Sequence, residues 1–339
     1  MKTKQPFALP SRQLSTLVRS LAAALGLAST LAATQAAAQA TYPNRPIRMV
    51  VAFAAGGSTD VVARVIGQKL SEGLGVPVVV DNRAGANGTV GSEVVAKSAP
   101  DGYTIMMGEV GSLAMAPGLY PKLPYEPTRD FAPVTLVART PLLATVKVDS
   151  PIKSLAELIA YAKSHPGKLN FPSSGAGGPN HLAGELFNLQ ANVKTQHVAY
   201  KGGGPAVLSL ASGETDFGLL SRVTIDSQLQ SGRLKPLAVA SEQRLANMPN
   251  TPTFAEAGLP GFTAETWFMV VAPAGTPPPV ITRLNAEIVK ILPAPEMVDR
   301  FASMGAIGVG NSPEVAGAFL KAELAKWTRV SKAASITLD

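Results

Sequence analysis

IRMVVAF (Ile47–Phe53), AAGGSTD (Ala54–Asp60) and VVARVIGQKL (Val61–Leu70) follow one another without a break. The first is a nearly continuous apolar run, which predicts a strand buried on both faces. The third spaces its apolar residues at helical intervals. The second is a glycine-rich turn between them. Strand, glycine loop and helix in that order are the repeating unit of an α/β fold with largely parallel sheets.

Read outward from there, the unit recurs. VPVVVDN (Val76–Asn82) leads into RAGANGTVG (Arg83–Gly91) and the helix-like SEVVAKSA. GYTIMMG (Gly102–Gly108) and FAPVTLVA (Phe131–Ala138) read as a third and a fourth strand, and LLATVKV (Leu142–Val148) opens a new run. Ser154 starts a helix with Glu157 at the capping-box position. KLNFPSS (Lys168–Ser174), GAGGPNH and HLAGELFNLQ repeat the unit, and QHVAYKGGG (Gln196–Gly204) repeats its first half. TDFGLL and KPLAVAS are further strands. TWFMVVAP (Thr266–Pro273) is another buried-type strand, and the remainder reads as helical.

The chain has 339 residues, which fits about two domains. Residues 1–40 read as a secretory leader: a basic start to Arg19, the apolar run Leu21–Ala33, then Ala38-Gln39-Ala40, with cleavage after Ala40. A membrane span needs roughly 20 apolar residues, more than this run supplies. The expected location is the periplasm. Without Lys2, Lys4, Arg12 and Arg19 the net charge of +7 falls to +3, and no basic stripe interleaved with aromatics is present. Nucleic acid is therefore not an expected partner. There are no cysteines, so disulfides, thiolate catalysis and Cys-ligated zinc are excluded. The three histidines, His165, His181 and His197, fall at no metal spacing. No metal and no cofactor is expected.

Four loops carry the candidate chemistry: AAGGST, RAGANG, SSGAGGPNH and YKGGGP. Each follows a strand and opens a helix, where unpartnered N–H groups and the helix dipole favour an anion. Glycine lets the backbone approach a ligand, but it also serves plain tight turns. No loop matches the phosphate-binding or dinucleotide patterns. His181 has two readings, a donor to a carboxylate or a satisfied cap. Asp60 either positions loop amides, binds a ligand ammonium, or complements the helix dipole. Trp267 reads as core rather than cleft wall. Ser174 has no plausible general base, and GxSxG is absent, so a serine hydrolase is rejected.

These loops and their surroundings resemble the substrate-binding receptors of tripartite tricarboxylate transporters, the Bug-type proteins. The resemblance runs through YPNRPIRMVVAFAAGGSTD, VVVDNRAGANGTVGSEVVAKSAPDGYTI, SLAELIAYAKSHPGKLNFPSSGAGGPNHLAGELF and VAYKGGGPAVLSLASGETD, and covers residues 42–339. It implies a two-lobed periplasmic-binding-protein-like α/β fold. Each lobe would be a mainly parallel sheet flanked by helices, with the ligand cleft between lobes. It also implies that a ligand carboxylate is held by the first two loops, partly through ordered water. Those are Ala55, Gly56, Gly57, Ser58, Thr59 and Asp60, then Ala84, Gly85, Asn87 and Gly88. The second lobe would add Ser174, Gly175, Gly178 and His181, then Lys201, Gly202 and Gly203. The chain departs from the family at GLLSR (Gly218–Arg222), where Leu220 and Ser221 replace residues that are often polar partners. It departs again at Ser335-Ile336-Thr337, where Gly-Ile is common.

The expectation is a monomeric, non-enzymatic receptor that captures a small carboxylate for integral-membrane transporter subunits. The competing classes are an exported α/β enzyme of hydrolase or dehydrogenase type and a sensor module. The lobes are expected over 41–140 plus 265–339 and over 141–264, because TWFMVVAP returns after a second set of strands. A second anionic end of the ligand could meet His181 or Lys201. An apolar wall at Leu220 would favour an aromatic monocarboxylate instead.

Overall fold

The computed structural model describes residues 42–338. The expected leader and its cleavage site lie outside the described residues. β1 (Ile47–Val51) is buried along its length except at Arg48, which explains its unbroken apolar run. α1 (Ser58–Leu74) turns Val62, Ile66 and Leu70 into the core. It stops at Gly75, whose φ of 72° is the left-handed cap that lets its N–H reach the Ser71 carbonyl. β2 (Val78–Asn82), α2 (Thr89–Ala96) and β3 (Thr104–Glu109) repeat the unit, and β2 and β3 flank β1 in parallel.

β4 (Phe131–Lys147) joins two stretches that the sequence presents as separate strands. It runs straight through Arg139, Thr140 and Pro141. Its first part, Phe131 to Pro141, pairs antiparallel with β9 (Glu265–Pro273), and from Leu142 on it pairs with β7 (Gly218–Ser221) and β8 (Leu234–Val239). Proline lacks a ladder donor and normally interrupts a central strand. Here Pro141 stands where the strand changes partners, so the missing N–H falls at a natural break.

α3 (Leu155–Ser164) is capped by Ser154 as expected, its Oγ accepting from the Glu157 N–H at 3.2 Å, while Glu157 Oε2 reaches back one residue further, to the Lys153 N–H at 2.6 Å. There follow β5 (Asn170–Ser173), α4 (Pro179–Ala191), β6 (Gln196–Ala199), α5 (Gly203–Ser212), β7 (Gly218–Ser221), α6 (Arg222–Gln230) and β8 (Leu234–Val239). β5 and β6 form their own parallel pair. β9 (Glu265–Pro273) then inserts between β3 and β4, antiparallel to both. α7 (Pro278–Ile291), α8 (Pro295–Ser303), β10 (Ile307–Gly308) and α9 (Pro313–Ala333) complete the chain, with β10 on the outer side of β4.

The main sheet has the order β10-β4-β9-β3-β1-β2. The α/β class holds, but the expectation of mainly parallel sheets needs correction. Among the named strands parallel pairing is confined to β1, β2 and β3 and to the β5–β6 pair, while every pairing of β4 and β9 is antiparallel. The reason is that β4 and β9 are not βα units: β4 changes partners along its length, and β9 returns to lie between it and β3.

Trp267 is core, as expected. It and Trp327 are fully buried, and both indole N–H groups donate to Glu323 Oε2, at 2.8 and 2.9 Å. Two-residue alternation along β9 therefore sends Thr266 and Phe268 to the opposite face. Among the described residues no helix is long and apolar enough to cross a membrane.

Candidate functional site

The first glycine loop is exposed from Ala54 to Ser58, whereas Thr59 and Asp60 are buried. Asp60 is the hub that shapes it. Its Oδ2 accepts from the Gly56 N–H and from Arg64 Nε, both at 2.9 Å, and its Oδ1 accepts from Asn82 Nδ2 at 2.9 Å. Arg64 first, with Gly56 and Asn82 assisting, holds the Asp60 carboxyl down to about 2 against the cost of burial. Of the readings open in the sequence, positioning of loop amides is the one the geometry displays. The N-cap of α1 is Gly57, which offers no side-chain acceptor to the first helical amides. The N-caps of α2, α4 and α5 are likewise glycines without a side-chain cap, in contrast to Ser154 and Ser312, which cap α3 and α9.

The second loop is bound to the first. Asn82 Nδ2 also donates to the Phe53 carbonyl at 3.1 Å. Gly88 has φ of 87°, and a Cβ there would lie 2.8 Å from the Phe53 ring and 2.9 Å from Ser112 Cβ. Only glycine satisfies both demands. Ala84 and Gly85 are exposed. Asn87 takes a left-handed conformation, and its Nδ2 is buried without a hydrogen-bond partner. Near it, at the end of β3, stands Glu109, a residue the sequence reading missed. Burial pushes its carboxyl up to about 7, and Thr59 Oγ1 donates to it at 3.5 Å. An acidic residue ending an apolar strand beside a glycine was the available signal.

The third and fourth loops also form a unit. The Gly202 N–H donates to the Ser174 carbonyl at 3.1 Å, and the Tyr200 N–H to the Ser173 carbonyl at 3.0 Å. Asn180 Nδ2 ties the third loop to the Leu219 carbonyl at 2.6 Å. His181 is buried, and its Nδ1 accepts from the Gly177 N–H at 3.0 Å. That bond makes Nδ1 the unprotonated nitrogen. Its ring stacks on His197 at 3.6 Å, and His197 Nε2 lies 2.6 Å from Ser173 Oγ. Burial, and for His181 also the neighbouring ring, lowers both imidazoles to about 4, so they are neutral near pH 7. Gly175 and Gly178 are half-buried, and Lys201 is exposed.

A cavity of about 290 Å³ lies beside the paired strands β4 and β9. Gly56, Ser58, Val61 and Val62 bound it from the first loop and α1, and Thr140 and Thr266 from β4 and β9. Ser221, Val223 and Thr224 bound it from the start of α6, with Phe268, Met304 and Ala306 completing the wall. Gly203 belongs to the same neighbourhood, since a Cβ there would be 3.7 Å from Thr224 Cγ2. Residues Ala84–Gly88, Ser174–His181 and Lys201 do not line this cavity. Leu220 does not line it either. It is buried against Leu143, Val207 and Leu210, so the apolar wall attributed to it comes instead from Val223, Phe268 and Met304. Alternation explains the difference: Leu220 and Ser221 face opposite ways. The same rule applied to Thr266, Trp267 and Phe268 was the signal for the two wall residues on β9. Among the described residues no group of three metal-ligating side chains occurs.

A family model described as the tripartite tricarboxylate transporter family receptor matches residues 62–336. Protein BugT of Bordetella pertussis is 40% identical over 291 residues, covering 86% of this chain and 89% of that one. The solved structure of Rpa4515 of R. palustris with adipate is 37% identical with a TM-score of 0.76, over 88% of this chain and 100% of its own. MatC (Rpa3494) of Rhodopseudomonas palustris, with bound malate, is 35% identical with a TM-score of 0.72, over 85% and 99%. The likeness to these structures carries the two-lobed α/β architecture with it.

Proposed function

Because the chain belongs to the tripartite tricarboxylate transporter receptor family, we propose that it is a periplasmic receptor that captures a small carboxylate for an integral-membrane transporter. The lobes in this reading are 41–140 plus 265–339 and 141–264. The leader ends at Ala40, and the mature chain acts as a monomer without cofactor or turnover. The ligand's carboxylate sits against the first loop, with Asn87 and the second loop beside it, and the paired third and fourth loops approach from the other lobe. The presence of adipate and malate in neighbouring structures supports the ligand class.

The observation that carries this reading is the Asp60 hub. A buried carboxylate fully occupied by Gly56, Arg64 and Asn82 fixes the loop so that α1 begins, uncapped, at the edge of a cavity. Preformed backbone donors at a helix N-terminus favour an anion by about 0.3–1 kcal/mol when exposed and more when partly buried. Isothermal titration of residues 41–339 with mono-, di- and tricarboxylates, amino acids and sugars tests it. Saturable heat with at least one carboxylate and none with sugars is expected. Binding of sugars alone, or chemical conversion of any ligand that one point substitution abolishes, would refute it.

A further inference from the structure

The cavity beside the first loop is lined without charge. Ser58, Thr140, Ser221, Thr224 and Thr266 bring hydroxyl groups to it, and Val61, Val223, Phe268 and Met304 bring apolar ones. None of the described residues that line it carries a charge. Two of the nearby arginines are committed elsewhere. Arg64 is held by Asp60 and Asn82, and Arg139 by Glu265. Arg222, between two lining residues, directs Nε and Nη2 to Asp226 at 3.3 Å and lays its stem along Gly305. Its Nη1 has no partner but is sealed from solvent.

We infer that the ligand is a carboxylate with a single charged end and an apolar body, the body resting in this cavity against Val223 and Phe268. This rests on the reading that the first loops hold an anion. A ligand anchored there extends into a chamber lined by hydroxyl-bearing side chains together with aliphatic and aromatic carbon. A second carboxylate in that chamber would exchange water for a few hydroxyls, methyl groups and a phenyl ring, with no cation among the lining residues to answer it. A methyl or aryl group in the same place gains from leaving water. Val223 sits at the rim, 50% exposed, so its side chain decides what the outer end of the ligand meets without holding up the core.

The test uses pairs of acids that differ by one carboxylate: hexanoate against adipate, and benzoate against terephthalate, titrated calorimetrically into residues 41–339. Each monocarboxylate should bind tighter than its partner by about tenfold or more. Val223→Arg should reverse the order, strengthening adipate and weakening hexanoate, while the melting temperature without ligand stays within a few degrees. Equal or tighter binding of the diacids by the unaltered protein overturns this inference and leaves the carboxylate reading intact. If that diacid binding is then lost in Arg222→Gln, Arg222 turns to the ligand and is the reason. Failure of every acid in the panel to bind removes both the inference and the receptor reading beneath it.

Discussion

At the scale of single residues, the stacked pair His181 and His197 shows how a buried group sets a pH limit. Their imidazoles titrate near 6.5 when exposed and near 4 here. Between those values the unfolded chain binds more protons than the folded one, so stability falls as pH drops from about 6.5 to about 4. Glu109 works in the opposite sense. Its carboxyl is raised from 4.5 to about 7, so its contribution is present below pH 4.5 and lost as pH rises through 7. Urea unfolding from pH 4 to 7.5 should therefore show a steeper acid loss in Glu109→Gln than in the unaltered protein. His197→Gln should flatten it. An unchanged slope in His197→Gln would mean that burial does not lower the proton affinity of this imidazole in the folded chain. The sequence placed His181 at a helix start and left its role open. It carried no sign of the His197 ring, 16 residues on, because that contact depends on the register of β5 against β6. Asp60 was legible as a first-turn acid for a local reason, whereas its bond to Asn82 needs β1 and β2 side by side.

At the scale of elements, the strand-loop-helix units were readable because each is set by a short stretch of chain: an apolar run, glycines, then helical spacing. The same locality makes the second loop fragile. Gly88 combines φ of 87° with contacts that leave no room for a Cβ against Phe53 and Ser112. Gly88→Ala should cost about 1–3 kcal/mol through overpacking, with further strain from the left-handed backbone. A denaturant midpoint within error of the unaltered protein would show that the two loops are not locked together. Gly204 is the control, because a Cβ there meets nothing within 4 Å. What the sequence concealed was β4. A proline at 141 reads as a break, and only a strand that trades β9 for β7 and β8 at that point can keep it. The cavity walls from β9 and β7 were hidden for a related reason. Alternation says that neighbours face opposite ways, but which face is core depends on what packs there, here Glu323 for Trp267 and Leu143 for Leu220.

At the scale of the whole molecule, β4 and β9 lie side by side where the cavity opens, with Thr140 opposite Thr266. The proposed lobes would be joined by these two strands, and any closing motion must be taken up there. β9 is anchored on one side: Trp267 and Trp327 share Glu323, which also pairs with Lys326. Burying both indoles on one carboxylate makes the β9–α9 contact costly to disturb, because each orphaned N–H would cost about 1–3 kcal/mol. The β9–α9 contact should therefore persist through any closing motion, and bending should concentrate at Pro141–Leu142 and Ala264–Glu265. A ligand that touches Ser58 on one lobe and Val223 on the other favours the closed arrangement by its extra contacts there. Small-angle scattering of residues 41–339 should show a smaller radius of gyration with saturating carboxylate than without. At about 100 times the dissociation constant, the same ligand should add roughly 2.7 kcal/mol to the unfolding free energy. A stability gain with no change in radius would mean that the ligand binds a cleft already closed, and β4 and β9 would then be a fixed bridge rather than a hinge.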